Sequence, residues 1–285
     1  MIPNLTGKGV FITGAAGGIG RILVDAFLSA GASVTATDIS DHGLDDLAAT
    51  HAGDRVRIRA LDVGSSSDCQ VAIDEAGQVD ILINNAGASM GLIRDDHLNR
   101  LVNLDEITPE LWDYFVGTNL SGPWYLTKAC VPDMRARRWG RIINVTTSFF
   151  TMLRPMFHPY GPPKAGMEAM SAGHAGELAK DGITVNVVVP GGPTDTPMVP
   201  AVTKMDRTLM IPPSAMAPPM LWLCSSDADA VTGNRYVAAS WDAEASITDA
   251  RAASEAPIAW PDLAASPVWP DTNLDAKLEE FGCRE

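Results

Sequence analysis

Tyr160 and Lys164 stand four positions apart, a spacing that puts both side chains on one face of a helix. A free tyrosine has a pKa of ~10 and is a poor base at neutral pH. An ammonium group ~4–5 Å away, at an effective dielectric of about 20, would favour the phenolate by roughly 3–4 kcal/mol before desolvation is subtracted. Such a pair could exchange a proton with a substrate hydroxyl. Pro162 and Pro163 fit between the two only if the helix begins near Tyr160, where missing N–H donors cost little. Ser148 and Thr147 precede Tyr160 by twelve and thirteen residues. Either hydroxyl could donate to a substrate oxygen on which charge develops.

A second constellation lies near the start of the chain. Gly14, Gly18 and Gly20 follow the apolar run Val10-Phe11-Ile12. They open a segment in which Ile19, Leu23, Ala26, Phe27 and Ala30 share a helical face, with Gly31 as its stop. Ser33–Asp38 is short and β-branched and reads as a second strand. In such a strand–turn–helix–strand unit, small residues let backbone N–H groups approach a pyrophosphate, which the helix N-terminus also attracts. Asp38 ends the second strand, eighteen residues after Gly20. A carboxylate there can accept from the ribose 2′-OH of NAD and would repel the 2′-phosphate of NADP. Ile39-Ser40-Asp41 offers no Arg or Lys to answer such a phosphate.

These groups need a scaffold, and the rest of the chain reads as one. Strands are expected at Arg55–Leu61, ending at Asp62, at Val79–Ile83, ending in Asn84-Asn85-Ala86-Gly87, and at Arg141–Val145, Ile183–Val189 and Arg235–Ala239. Thr108-Pro109-Glu110 starts a long helix running toward Val131, a further helix covers Tyr160–Lys180, and another includes Pro218–Leu223. The alternation predicts an α/β fold: one Rossmann-like, doubly wound parallel sheet with helices on both faces. Residues 88–107 are expected to form a long connection. A single domain is expected over 1–241, followed by a mostly irregular extension over 242–285. Trp241, Trp260 and Trp269 suggest that this extension packs on the domain or on a neighbouring subunit.

Composition sets the outer limits. Of 285 residues, 46% are hydrophobic and 20% charged, which excludes a disordered chain. The formal charge of −14 argues against nucleic acid or an anionic membrane as partner. No apolar run approaches the ~20 residues of a membrane span, and no secretory signal is visible, so a cytoplasmic location is expected. Cys69, Cys130, Cys224 and Cys283 form no C-x-x-C pair, and no His/Cys/carboxylate cluster has ligand spacing. No metal is expected.

The ordered set TGAAGGIG (13–20), Asp62-Val63, NNAG (84–87), Asn119, a Ser/Thr cluster (146–148), YGPPK (160–164) and PGGPTDTP (190–197) resembles the short-chain dehydrogenase/reductase family across about residues 5–240. The resemblance implies that Gly14, Ala16, Gly17, Gly18, Ile19 and Gly20 hold the coenzyme pyrophosphate, that Asp38 selects NAD, and that Asp62 and Val63 border the adenine. Asn85, Ala86 and Gly87 would line the ribose and steady the central strand. Tyr160 would be the general acid/base, and Lys164 would lower its pKa and bind the nicotinamide ribose. Asn119 would hold a water linking Lys164 to solvent. The hydroxyl facing the substrate oxygen would be Ser148, with Thr147 the alternative. Pro190, Gly191 and Thr196 would meet the nicotinamide, with Thr194 possible if the register shifts.

The activity so implied is an NAD(H)-dependent oxidoreductase interconverting a secondary alcohol and its ketone, in a homodimer or homotetramer. A lyase or epimerase on the same fold, or a non-catalytic NAD-binding regulatory protein, are the alternatives. Phe149–Phe157 falls where the family builds a pocket wall, and its apolar content suggests an apolar or aromatic substrate. Met205, Leu209, Met210 and Ile211 fall where it carries a substrate lid.

Overall fold

Aliphatic and β-branched residues fill the strands because both faces of the sheet are covered. Ile183–Val189 and Ile81–Asn84 are buried at every position. The computed structural model describes residues 2–53 and 55–263. Seven parallel strands, β1 (Gly9–Thr13), β2 (Ser33–Asp38), β3 (Val56–Ala60), β4 (Ile81–Asn84), β5 (Gly140–Val145), β6 (Ile183–Val189) and β7 (Asn234–Val237), lie in the order β3-β2-β1-β4-β5-β6-β7. The order reverses between β1 and β4. At such a switch point the connections leave in opposite directions and open a crevice at the carboxyl ends of the strands. The register there pairs Ile12 with Ala36 on one side and with Ile83 on the other.

One face is covered by α1 (Gly18–Ser29), α2 (Asp41–Thr50) and α8 (Ala217–Leu223). Leu23, Val24, Phe27, Leu47, Met220 and Leu223 form a core with Ile12, Ile83 and Ile143. The other face is covered by α3 (Ser66–Ala76), α5 (Gly122–Arg137) and α7 (Gly161–Leu178), which bury Cys69, Leu126, Met134 and Leu178 against Phe11, Leu82 and Ile142. Among the described residues no helix is long and apolar enough to cross a membrane.

The long helix begins as its residues predict. The Thr108 hydroxyl accepts from the Leu111 N–H, and Pro109 opens α4 (Pro109–Val116). It then widens into one π-type turn at Gly117–Ser121 before continuing as α5. Such bulges are common at functional sites, and this one carries Asn119. Residues 88–107 form a long connection with two short 3₁₀ turns. Its Ala88, Met90 and Val102 pack with Phe115, Phe157 and Tyr160.

The C-terminal expectation needs correction. The sheet does not end near Ala239, and residues 242–263 are not mostly irregular. Ile247–Ser254 is a helix, α9, and Glu255–Pro257 is a strand, β8, paired antiparallel with β7. The outer edge of β7 presents unpaired backbone groups. The returning chain satisfies them, with Arg235 opposite Ala256 and Tyr236 opposite Glu255. Glu255 then accepts from the Tyr236 hydroxyl at 2.7 Å and from Arg251. Trp241 packs on Trp222 and Tyr236, and Trp260 on Phe149. Trp269 lies outside the described residues.

Candidate active site

The residues singled out from the sequence converge on the carboxyl ends of β1, β2, β4, β5 and β6. The glycine turn leaves β1 with Gly14 at φ +64°, and a β-carbon there would stand 2.8 Å from Ala86 Cα. A β-carbon at Gly20 would run into the Gly14 carbonyl oxygen. Both positions therefore require glycine. Gly17, at the N-cap of α1, contributes no side-chain cap. The first-turn N–H groups of α1, from Gly18, Ile19 and Gly20, are thus left for a ligand, and the helix dipole makes that ligand an anion.

Hydrogen bonds brace this turn from two sides. Asp38 accepts from the N–H groups of Ala16 at 3.0 Å and Ser40 at 3.1 Å. Asn85 Nδ2 donates to the carbonyls of Thr13 and Gly14 at 3.0 and 3.1 Å, while Thr13 Oγ1 accepts from the N–H groups of Asn85 and Ala86. Arg21 Nε donates to the Ala16 carbonyl and Nη2 to the Gly43 carbonyl. Asp62 sits just past β3, beside the strand that ends in Asp38, and its carboxylate accepts from the Gly64 N–H. Val63 is buried against Gly122.

The loop after β6 separates its two threonines. Thr194 bridges to Ile211 and donates to the Gly192 carbonyl. Thr196 instead lies on the glycine turn, so close that a β-carbon at Gly18 would stand 2.7 Å from its Cγ2. Pro190 and Gly191 (φ +106°) turn the chain out of β6 toward these contacts.

Tyr160 forms the N-cap of α7, with the Pro162–Pro163 pair in the first turn. Its ring meets Phe157 edge-on at 6.1 Å. Lys164 is buried and donates from Nζ to the Val145 carbonyl at 2.8 Å. Asn119, also buried, accepts from the Ala88 N–H at 3.0 Å and donates to the Ala88 carbonyl at 3.2 Å. A β-carbon at Gly87 would lie 3.1 Å from Asn119 Oδ1 and 3.6 Å from Lys164 Nζ. Asn119 and Lys164 thus both flank Gly87.

The Thr147 hydroxyl favours the Tyr160 phenolate. Ser148 is engaged elsewhere: its Oγ caps α6 (Phe149–Leu153), accepting from the Thr151 N–H at 3.1 Å and sharing a hydrogen bond with the Thr151 hydroxyl. Burial pushes the phenol up to about 12 and outweighs Thr147. Burial also pulls Lys164 down to about 8.

Sequence reasoning passes over Glu168 and Arg235, which form a buried ion pair directly behind Thr146 and Thr147. They are 67 positions apart, and neither falls in a motif.

The architecture, the glycine turn and the Tyr160–Lys164 arrangement agree with a model built for one protein family, the short chain dehydrogenases, which matches residues 8–207. The chain belongs to that family. Among the family's curated proteins it is 36% identical to the 2,3-dihydroxy-2,3-dihydro-p-cumate dehydrogenase of Pseudomonas putida strain F1 over 194 residues, covering 65% of this chain and 71% of that protein. It is 33% identical to the 3-oxoacyl-[acyl-carrier-protein] reductase FabG of Vibrio cholerae over 243 residues, 81% of this chain and 95% of that one. Among solved structures, the 3-ketoacyl-(acyl-carrier-protein) reductase of Brucella melitensis complexed with NADH superposes with a TM-score of 0.69 at 27% identity. That match covers 80% of this chain and 95% of the other. As a short chain dehydrogenase, the protein is an oxidoreductase by family, and its crevice is shaped for a dinucleotide: the glycine cradle excludes side chains, and the uncapped helix faces it.

Proposed function

We propose that this short chain dehydrogenase is NAD(H)-dependent and interconverts a secondary alcohol and its ketone, with Tyr160 as general acid/base. The observation that carries this reading is the placing of Tyr160 at the start of α7 with buried Lys164 one turn on, its Nζ donating to the Val145 carbonyl at the end of β5 and lying beside Gly87. In the coenzyme's place, Gly14–Gly20 hold the pyrophosphate, Asp38 the adenosine ribose, and Asp62 and Val63 the adenine. Asn85–Gly87, Lys164, Pro190, Gly191 and Thr196 surround the nicotinamide half. Bound NAD(H) supplies a hydride donor or acceptor at its nicotinamide ring.

Tyr160 gives its proton to the carbonyl oxygen during reduction and takes the hydroxyl proton during oxidation. Thr147 donates a hydrogen bond to the same oxygen as charge builds on it. Lys164, with Asn119 on the other side of Gly87, offers that proton a route onward. Phe150 and Leu153 on α6, 73% and 74% exposed, and Leu209, in the loop that leaves β6 and 84% exposed, would supply an apolar lip to the substrate site. This favours an apolar or aromatic substrate. We further propose a homo-oligomer, to be checked by light scattering.

The test is NADH formation or consumption, followed by absorbance, with a ring dihydrodiol, an aldose and a 3-oxoacyl thioester. Steady turnover of any of these supports the reading. NAD binding without turnover would indicate a regulatory protein, and product formation with no net change in the coenzyme a lyase or epimerase.

A further inference from the structure

The buried ion pair behind the reactive wall has no part in the proposed reaction. Glu168 on α7 is 0% exposed and Arg235 on β7 is 4% exposed. Arg235 Nη1 donates to Glu168 Oε2 at 3.0 Å and to Thr146 Oγ1 at 3.3 Å, and Nη2 donates to the Thr147 carbonyl at 2.9 Å. Thr146 Oγ1 in turn donates to Glu168 Oε2 at 2.7 Å. The guanidinium plane lies over the Phe149 ring at 4.2 Å, and Trp260 packs on Phe149 at 5.8 Å. Glu168 Oε1 accepts from the Ala259 N–H at 3.4 Å. Four separate stretches of chain therefore close one cage: the end of β5, α7, β7 and the segment after β8.

Stability alone does not account for this cage. Burying two charges costs so much desolvation that apolar residues of similar volume are often as good or better. What the pair does that apolar groups cannot is grip backbone. The β5 ladder ends at Val145, paired with Val188. Beyond it, the Arg235 bond holds the Thr147 carbonyl.

We propose that Arg235, oriented by Glu168, is a positioning residue for the Thr147 hydroxyl, and that the Ala259–Trp260 segment locks the pair in place. The role of Thr147 rests on the function proposed above, but the grip on its backbone does not. The planar arginine fork satisfies Thr146, Glu168 and the Thr147 carbonyl together, which the single ammonium group of a lysine cannot do.

Two variants of the full chain test this: Arg235→Lys, and the double variant Arg235→Met/Glu168→Leu, which removes both charges while filling the space. Amide hydrogen exchange over residues 145–153 needs no substrate. It should rise at least tenfold in both variants, with exchange in α1 and NADH affinity unchanged. On the substrate turned over best, kcat should fall at least tenfold in both, whereas a protein already carrying Thr147→Val should lose no further kcat when either is added. A purely structural pair gives the opposite pattern: the apolar double variant restores the melting temperature and kcat together. Unchanged exchange over 145–153 in the double variant overturns the proposal. Raised exchange with unaltered kcat overturns only the catalytic consequence, and with it the assignment of Thr147.

Discussion

The Asp38 carboxylate accepts a hydrogen bond from the Ala16 N–H at 3.0 Å. The residue proposed to meet the coenzyme ribose therefore also anchors the glycine turn that would hold the pyrophosphate. One side chain ties two halves of the dinucleotide site together across 22 positions of sequence.

This double duty separates two substitutions. Asp38→Asn keeps an acceptor for Ala16 and removes the charge, so it should lower the NAD over NADP preference with little loss of overall affinity. Asp38→Ala should lower that preference and also weaken both coenzymes, by about tenfold or more, because the turn loses its anchor. Coenzyme-specific kcat/KM values check both. Equal values for the two coenzymes in the unmodified protein would remove the basis of the argument.

Thr196, in the loop after β6, closes directly over Gly18. Gly18→Ala would place a methyl group 2.7 Å from Thr196 Cγ2 and 2.9 Å from its Cβ, so the loop must shift. NADH dissociation, followed by fluorescence, should weaken about tenfold or more, as expected when a close-packed contact is overfilled. Adding Thr196→Ser, which deletes Cγ2, should recover part of the loss.

The two neighbouring hydroxyls are expected to diverge. Thr147→Val should cut kcat by ~10²-fold with coenzyme affinity intact, because the donor to the substrate oxygen is gone. Ser148→Ala removes the cap of α6 and should cost about 1 kcal/mol of stability, with a far smaller effect on kcat. Thermal melts and steady-state rates on both variants decide between them, and a larger kcat loss for Ser148→Ala would reverse the assignment.

Tyr160→Phe should lower kcat by ~10²–10⁴-fold while NADH still binds. In the coenzyme-free site the phenol lies at about 12, so it is protonated and ready to act as an acid across the neutral range. Reduction should accordingly stay level as pH rises from 6 to 9, whereas oxidation, which needs the phenolate, should increase. A falling oxidation rate over that window would contradict the assignment.

Lys164 should leave a mark on stability. Its folded pKa, about 8, lies below the ordinary lysine value of 10.5. Between these values the unfolded chain binds more protons, so this group's contribution rises with pH. Below pH 8 its destabilising effect is nearly constant, and it is relieved as pH climbs toward 10.5. The stability of the unmodified protein relative to Lys164→Met should therefore improve by about 1 kcal/mol between pH 7.5 and 9. Chemical denaturation of both proteins without coenzyme measures this, and parallel pH curves would show that Lys164 does not titrate as described.

The legible parts of this protein are those whose physics is local. Gly14, Gly18 and Gly20 between an apolar run and a helical stripe can be read directly, because turn chemistry and period act over a few residues. The helix start at Thr108-Pro109 is readable for the same reason, and so is the Ile183–Val189 strand, whose unbroken apolar run fits a strand buried on both faces. The spacing of Tyr160 and Lys164 places them on one helix face, but where Nζ goes was decided by the Val145 carbonyl, on a strand 19 positions away.

Tertiary structure alone engages Ser148 in capping α6, which supports the proposal that Thr147 is the hydroxyl facing the substrate oxygen. Adjacent residues on extended backbone face opposite ways, so a one-residue difference in spacing reverses the answer, and the chain beyond β5 determines which hydroxyl turns inward. It also added β8, whose three residues pair with an edge that exists only once β7 is in the sheet, and it built the Glu168–Arg235 cage. An isolated Arg in a strand and an isolated Glu in a helix carry no period and no motif. They become a pair only when α7 and β7 are folded side by side, away from the water that would otherwise solvate each charge.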